Sequence, residues 1–303
     1  MGDAGNAPDN TTYGAVDHSY RISKYEMTNG QYIEFLNKVA ATDTYGLYNG
    51  GMAGTYGGIA QSGSPGSFTY AAKGGDANWL SRPVNYVSFW DAARLANWMH
   101  NGQPTGVQGP GTTEDGAYIN IGNQATFARQ PGALFFIPTE DEWYKAAYYK
   151  GGSLNAGYWD YPIRSDTAPK SEAPPGTVLY GSANYFGTGS AVGAPYYFSI
   201  VGAYTFMPSS SPYGTFDQGG NLWEWNETVL YTSFRGIRGG SWYYDASSLS
   251  ASYRNITDPS DEFSDIGFRL AGPPVTTEIP EPATVSLLGI AVAAMLRRRK
   301  RPA

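Results

Sequence analysis

Three short segments of the chain carry a clear helix signal. Each begins with a capping box, in which a Ser or Thr is followed three residues later by a side chain that can bond back to the start of the helix; the pairs are Thr28 with Gln31, Ser88 with Asp91, and Thr139 with Glu142. Between them lie long stretches rich in Gly, Ser and Pro, with 39 Gly and 20 Pro in 303 residues. Because Gly and Pro interrupt helices and strands, we predict an irregular α+β fold, loop-rich, with little regular secondary structure.

Aromatic side chains indicate that these loops are ordered. They make up 15% of the chain, with 25 Tyr and 8 Trp, and they recur through residues 41–80 and 101–130. A disordered chain is poor in aromatics. We therefore expect both regions to be structured surface loops of a globular domain and not linkers.

The absence of cysteine removes several kinds of chemistry. The chain cannot form a disulfide, a thiolate nucleophile, a zinc–thiolate site or an iron–sulfur cluster. Its two histidines, His18 and His100, are too few for a three-His zinc site. An iron site with two His and one carboxylate would need both of them together.

Acidic and basic residues are unevenly distributed. Residues 1–277 hold 24 of the 26 acidic and 15 of the 20 basic side chains, a net charge of −9. A nucleic-acid-binding protein needs a basic face to neutralise phosphates. The acidic body therefore argues against nucleic acid as a partner.

The two ends of the chain give different indications about export. Met1–Asn6 has neither a basic nor an apolar region, so as written there is no signal peptide. At the other end, Pro280-Glu281-Pro282 leads into a largely apolar run of fourteen residues, 283–296, closed by the basic cluster Arg297–Arg301. That run is shorter than the ~20 residues of a stable membrane span. A basic cluster directly after an apolar run is nevertheless the orientation signal that keeps positive charge in the cytoplasm. We expect that the missing N-terminal signal is explained by a start site placed too late or by a trimmed sequence.

This tail resembles a PEP-CTERM sorting signal: Pro-Glu-Pro, a short membrane segment, then arginines. The resemblance implies export by a bacterium, processing by an exosortase-type enzyme, and a final place at the cell surface or in the extracellular matrix. Contact with the inner membrane through residues 283–303 would be transient. Residues 273–282 are the linker that separates this tail from the domain.

Six sequence blocks in residues 20–271 resemble those of the formylglycine-generating enzymes, also called sulfatase-modifying factors. In order they are Ile22–Asn29, Pro83–Ser88, Pro138–Trp143, Gly220–Trp225, Arg238–Trp242 and Gly267–Arg269. The resemblance implies a formylglycine-generating-enzyme-like domain over 20–272, preceded by an N-terminal extension, 1–19. It also implies a fold related to the C-type lectin scaffold.

Active members of that family oxidise a substrate cysteine with two cysteines of their own, which bind copper. The resemblance places those positions near Tyr244 and Leu249, neither of which binds Cu(I). We therefore expect no copper and no cysteine-dependent formylglycine formation.

The resemblance also implies a structural Ca²⁺ site in the Gly-rich segment between Asp217 and Glu224. Its ligands would be the side chains of those two residues and the carbonyls of Gly220 and Leu222. Hard oxygen ligands of this kind suit calcium. The alternative is a tight turn without metal, packed by Trp residues. Asn184 is the only trace of a second family calcium site.

Other residues near the implied cleft have simpler interpretations. Ser241 has no His or Lys beside it in sequence, so a turn hydrogen bond is favoured over a nucleophile. Arg238 and Arg269 are expected to be buried with carboxylate partners. An aromatic groove that binds sugar is a further hypothesis, although the same rings could equally be packing residues; they are Tyr196, Tyr197, Phe198, Tyr243, Tyr244 and Tyr253.

Three functions remain open from sequence. The first is a surface-displayed, non-oxidising binding or interaction domain, with polysaccharide or a surface protein as partner. The second is a nonheme-metal oxidase of the same family with altered chemistry. The third is a structural component of the extracellular matrix.

Overall fold

The computed structural model describes residues 1–205 and 209–274. In these residues regular structure is confined to three α-helices, several 3-10 turns and short strands. The helices are α1 Asn29–Val39, α2 Phe89–His100 and α3 Glu140–Tyr148. The strands are β1 Arg21–Ile22, β2 Ile59–Ser62, β3 Thr69–Ala72, β4 Tyr118–Ile119, β5 Ala128–Arg129, β6 Lys170–Ser171, β7 Ser182–Ala183, β8 Trp223–Leu230, β9 Phe234–Arg238, β10 Asn255–Thr257, β11 Ile266–Gly267 and β12 Ala271–Gly272. The prediction of an α+β, loop-rich fold is confirmed.

All three helices begin where the sequence placed them. In each capping box the hydroxyl of the cap residue accepts a hydrogen bond from the third backbone N–H, and the third side chain accepts one from the cap N–H. Such caps satisfy donors that the helix itself leaves unpaired. One apolar face of each helix is buried, including Phe35 of α1, Leu95 of α2 and Trp143 of α3.

The largest sheet has four strands in the order β10-β9-β8-β11. β8 pairs antiparallel with β9 and parallel with β11, and β10 forms an edge of the sheet. The pairing of β8 with β9 is interrupted by a bulge between Trp225 and Val229. Sequence reasoning interpreted the segment before Glu224 as a turn and did not identify the long strand that follows it.

The main core lies between this sheet and helices α1 and α2. The indole of Trp225 on β8 donates to the carbonyl of Val87, just before α2, at 3.0 Å. Phe89 of α2 packs edge-on against the same indole, with ring centroids 6.1 Å apart. These contacts fix the sheet on α2, and residues of the same four strands line the site described below.

Residues 1–19 pack on α3. The side chain of Asn6 donates to the carbonyl of Gly14 at 2.8 Å, and the N–H of Gly14 donates to Asp141 on α3, also at 2.8 Å. Residues Met1–Pro273 form one compact unit. The boundaries drawn from sequence before residue 20 and after residue 272 remain sequence predictions. The Pro-Glu-Pro segment, the apolar run and the basic cluster lie outside the described residues. Within the described residues no helix is long and apolar enough to cross a membrane.

A buried ion pair joins α3 to strand β9. Arg238 is fully buried, and its Nε donates to Glu140 at 2.7 Å. Arg254, which is partly exposed, donates to both oxygens of the same carboxylate, at 2.9 and 2.6 Å. The expectation that Arg238 is buried with a carboxylate partner is confirmed.

We predict that Glu140→Ala lowers the free energy of unfolding by about 3–5 kcal/mol, because it leaves a buried guanidinium without its counter-charge. Urea unfolding followed by tryptophan fluorescence measures this change. The matched control is Arg254→Ala, which removes the partly exposed partner and should cost about 1 kcal/mol or less. Equal losses in the two variants would contradict the assignment of Arg238 as the group that depends on Glu140.

Candidate functional site

A cavity of about 560 Å³ is lined by residues from all four strands of the four-stranded sheet, including Trp223 of β8, Ile237 of β9 and Ile266 of β11. One wall is strand β10 itself. A second is the turn that follows β9, and a third is the segment that leads into β11. Six aromatic side chains line the cavity: Tyr56, Trp223, Trp242, Tyr243, Tyr244 and Phe263.

The turn after β9 depends on two glycines. Gly239 and Gly240 have φ angles of 98° and 72°, in the left-handed region that favours glycine. A Cβ on Gly240 would lie 2.4 Å from the hydroxyl oxygen of Ser248 and 2.7 Å from a methyl carbon of Leu249. The chain can therefore reverse tightly here and present the next residues, Trp242 to Tyr244, to the cavity.

Trp242 is the fixed part of the aromatic wall. Its ring centroid lies 5.1 Å from those of Tyr56 and Tyr197 and 5.8 Å from that of Phe198. Only 5% of Trp242 is exposed. The next two residues are more open, with Tyr243 64% and Tyr244 39% exposed. The aromatic wall therefore has a buried base, Trp242, and a rim of partly exposed rings, Tyr243 and Tyr244.

Of the six aromatic residues proposed from sequence, some line the cavity and others pack against neighbouring rings. Tyr243 and Tyr244 line the cavity. Tyr197 and Phe198 pack against Trp242 from other sides, and Tyr196 packs edge-on against Trp79. Tyr253 lies against Trp223, at 5.9 Å between ring centroids. Two of the six therefore belong to the cavity wall, and the other four pack against neighbouring rings.

Asp265 is the carboxyl group of the cavity lining. One of its oxygens accepts a hydrogen bond from Ser241 at 3.1 Å. Burial raises the pKa of Asp265 above its usual range, and the Ser241 bond offsets this only in part. Burial and the nearby Asp265 charge also raise the pKa of Tyr244. Ser241 is buried, and its predicted role as a turn hydrogen-bonding residue agrees with its contact to the N–H of Tyr243 at 3.4 Å.

The two residues near which the sequence analysis expects the family's cysteine positions lie in different environments. Tyr244 is at the cavity, whereas Leu249 is buried in a small cluster with Ala183 and Tyr185. Neither histidine is near them: His18 bonds to Asp17 and Glu142, and His100 accepts from the N–H of Leu134. In the described ranges, no group of three or more His, Asp or Glu side chains is arranged to hold a metal ion.

The loop proposed to bind calcium is tightly constrained. Asp217, Gly220 and Asn221 have φ angles of 60°, 84° and 63°. A Cβ on Gly220 would lie 2.4 Å from the carbonyl oxygen of Asn184, so only glycine fits. Asp217 accepts a hydrogen bond from the N–H of Gly202 at 2.6 Å.

Glu224, the other proposed calcium ligand, has strong partners of its own. Both of its oxygens accept from Arg269, each at 2.6 Å, and one also accepts from the indole N–H of Trp143 at 2.7 Å. Glu224 and Arg269 are fully buried, which confirms the predicted carboxylate partner of Arg269. Glu26, a residue that sequence reasoning missed, accepts from Asn221 and from the N–H of Leu222.

These contacts fit a calcium ion only in part. Burial and the neighbouring Glu224 carboxylate raise the pKa of Asp217 to about 6, although the Gly202 bond and Arg269 act in the opposite direction. A cation would lower that pKa. Within the described part of the chain, the buried side-chain oxygen of Asn184 accepts no hydrogen bond. Glu224, in contrast, is already engaged by Arg269. The calcium site stays a prediction, better supported at Asp217 than at Glu224, and Asn184 stays the trace of a second site.

Sequence reasoning missed Asp265, Phe263 and Tyr56 as cavity residues. Tyr56 lies in a glycine-rich loop far from the others in sequence, and no pattern links it to them. Asp265 had one usable signal: it stands directly before the buried strand β11, where a carboxylate must either find a partner or face a cavity.

Solved structures with a similar fold have low sequence identity to this chain. Treponema denticola variable protein 1 is 20% identical, with 89% of this chain and 92% of that chain covered and a TM-score of 0.52. CarF is 23% identical over 84% of this chain and 86% of its own, with a TM-score of 0.48. PvdO from Pseudomonas aeruginosa is 19% identical over 84% and 80%, also with a TM-score of 0.48. At such identities the first of these shows the fold alone.

A search of curated proteins found no match. Two family models do match. Residues 278–301 match the PEP-CTERM protein-sorting motif, which supports export and sorting to the surface. Residues 2–273 match the sulfatase-modifying factor enzyme 1-like domain, so nearly all of the described chain is accounted for by one family. The chain therefore belongs to the family of sulfatase-modifying factor enzyme 1-like domains and carries a PEP-CTERM sorting motif at its end.

Proposed function

We propose that this protein is a surface-displayed binding domain, and that its ligand occupies the cavity lined by the four-stranded sheet and by aromatic rings. The observation that carries the proposal is the combination of a cavity of about 560 Å³, walled by aromatic rings, with a chain that has no cysteine. Tyr244, near which the family resemblance implies one of the catalytic cysteines, lines this cavity. A ligand can be held there, but thiol chemistry has no residue to perform it.

The polar groups of the cavity also favour binding over nucleophilic catalysis. An activated serine needs a base such as His or Lys within hydrogen-bond reach. Ser241 donates to a carboxylate instead, and the cavity lining contains no His, Lys or Arg. Ser241 therefore acts to orient Asp265 and not as a nucleophile.

The alternative is a nonheme-metal oxidase of the same family. Such an enzyme would need imidazole or thiolate ligands at the cavity. The two histidines bond to different partners elsewhere in the domain. This placement supports the binding function over the oxidase.

Polysaccharide is the partner best matched to this cavity. The open rings at its rim offer flat faces for the C–H surface of a sugar, while Asn255, Ser264 and Asp265 offer polar groups for hydroxyls. A surface protein remains the second candidate partner.

We predict that Tyr244→Ala weakens binding of the best ligand from a glycan array by about tenfold, because it removes one stacking face. Isothermal titration calorimetry measures the affinity. The matched control is Tyr231→Ala, which removes a tyrosine that is 80% exposed on the β8–β9 hairpin and should leave affinity unchanged. Conversion of a cysteine peptide to formylglycine by the wild-type domain, detected by mass spectrometry, would refute the binding function in favour of an oxidase.

We also propose a structural calcium ion at the loop between Asp217 and Glu224. An ion bound only to the folded state stabilises that state by mass action. A chelator is therefore expected to lower the melting temperature of the wild type and to have no effect on Asp217→Ala. Glu34→Ala, which removes an exposed carboxylate of α1, should respond as the wild type does. An unchanged wild-type melting curve, with no calcium by elemental analysis, would leave a turn without metal.

The tail is proposed to anchor the protein in the inner membrane until it is cut. A largely apolar run of fourteen residues holds more weakly than a full span, and moving the Arg297–Arg301 charges through hydrocarbon is costly. We expect mature protein from its host to end near Pro280–Pro282, and Glu281→Ala to leave an uncut, membrane-retained form. The intact mass of the released protein shows where the chain has been cut. A mass that still includes Ala303 would disprove the sorting role.

A further inference from the structure

Asp265 has no positive partner. In residues 1–205 and 209–274 it takes part in no ion pair, and the hydrogen bond to its side chain from another residue comes from the neutral hydroxyl of Ser241. Glu140 and Glu224, two buried carboxylates of the core, are each paired with an arginine. Glu26 and Asp217 instead accept hydrogen bonds from neutral groups of the protein, from two groups and one group respectively. A carboxylate withdrawn from water without a counter-charge is unfavourable.

The surroundings of Asp265 would attract a cation and repel an anion. The negative faces of aromatic rings attract ammonium groups, most strongly where water is excluded. Trp242, Tyr244 and Phe263 line the cavity together with Asp265, and the lining contributes no positive side chain. Burial also raises the pKa of the Asp265 carboxyl, and an ammonium group at that position would lower it again.

The rim of the cavity suits a sugar ring better than a linear chain. Its open rings are Tyr243, Tyr244 and Phe263, and Phe263 is 49% exposed. Flat rings at the rim, hydroxyl-binding side chains such as Asn255 and Ser264, and a carboxylate deeper in the wall together match a pyranose that carries one amino group.

We propose that the cavity recognises an amino sugar with a free ammonium group, held by an ion pair with Asp265 and by stacking on the rim tyrosines. This inference rests on the proposed binding function and specifies its ligand class: a polysaccharide that contains unacetylated hexosamine. Ser241 is a positioning residue, since its hydroxyl orients the carboxylate that contacts the ammonium group.

Oligomers of glucosamine and of N-acetylglucosamine form a matched pair of probes, because they differ at the amine alone. The whole described domain, with its natural tail removed after residue 277, is titrated with the tetramer of each by calorimetry. We expect the glucosamine tetramer to bind at least about tenfold more tightly, since a charge-assisted contact is lost on acetylation. Asp265→Asn should abolish that difference, whereas Glu34→Gln, which removes an exposed charge elsewhere, should preserve it.

The outcomes separate this inference from the proposed function. Equal binding of both tetramers, reduced by Tyr244→Ala, would keep the carbohydrate-binding cavity and overturn the ammonium preference. No binding of either tetramer, or tighter binding of a lysine-containing peptide than of glucosamine oligomers, would overturn the amino-sugar ligand. Thermal unfolding of Asp265→Asn shows whether the variant is folded; if it is not, Ser241→Ala replaces it and should reduce the difference between the tetramers while the carboxylate remains.

Discussion

The buried ion pair between Glu224 and Arg269 is the interaction on which most of this fold depends. The guanidinium also donates to the carbonyls of Ser23 and Phe216, at 3.1 and 2.8 Å, and the carboxylate accepts from the indole of Trp143. One pair of charges therefore connects strand β8, helix α3, the first strand region and the loop that follows residue 209. Short helices and strands connect only a small part of this chain through backbone hydrogen bonds. Its loops therefore need side-chain links such as this ion pair.

Buried arginines perform the same task elsewhere. Arg238 links β9 to α3 through Glu140, and Arg82 donates to the carbonyl of Phe198. Arginine suits this role because its planar group presents several donors in fixed directions. The irregular loops of this protein are held by side chains that bond to backbone carbonyls, with glycine at the points where the backbone itself must approach closely.

The fold was predictable where the determinants are local. Capping boxes at Thr28, Ser88 and Thr139 gave all three helix starts, since each depends on residues three positions apart. The burial of Arg238 and Arg269 followed from the cost of an unpaired charge. The cavity was only half predictable: Tyr243 and Tyr244 lie beside a recognisable glycine turn, but Tyr56 reaches them from almost 190 residues away in sequence, and such contacts leave no local pattern.

The glycine turn after β9 has a consequence for how this protein could change over time. Its fixed points, Gly239 and Gly240, are packed against neighbours and tolerate no side chain, while Tyr243 and Tyr244 a few positions on are partly exposed at the cavity. Selection for stability and selection for ligand therefore act on different residues, only a few positions apart. The rim can acquire a new specificity by single substitutions, and the domain beneath it keeps its free energy of folding.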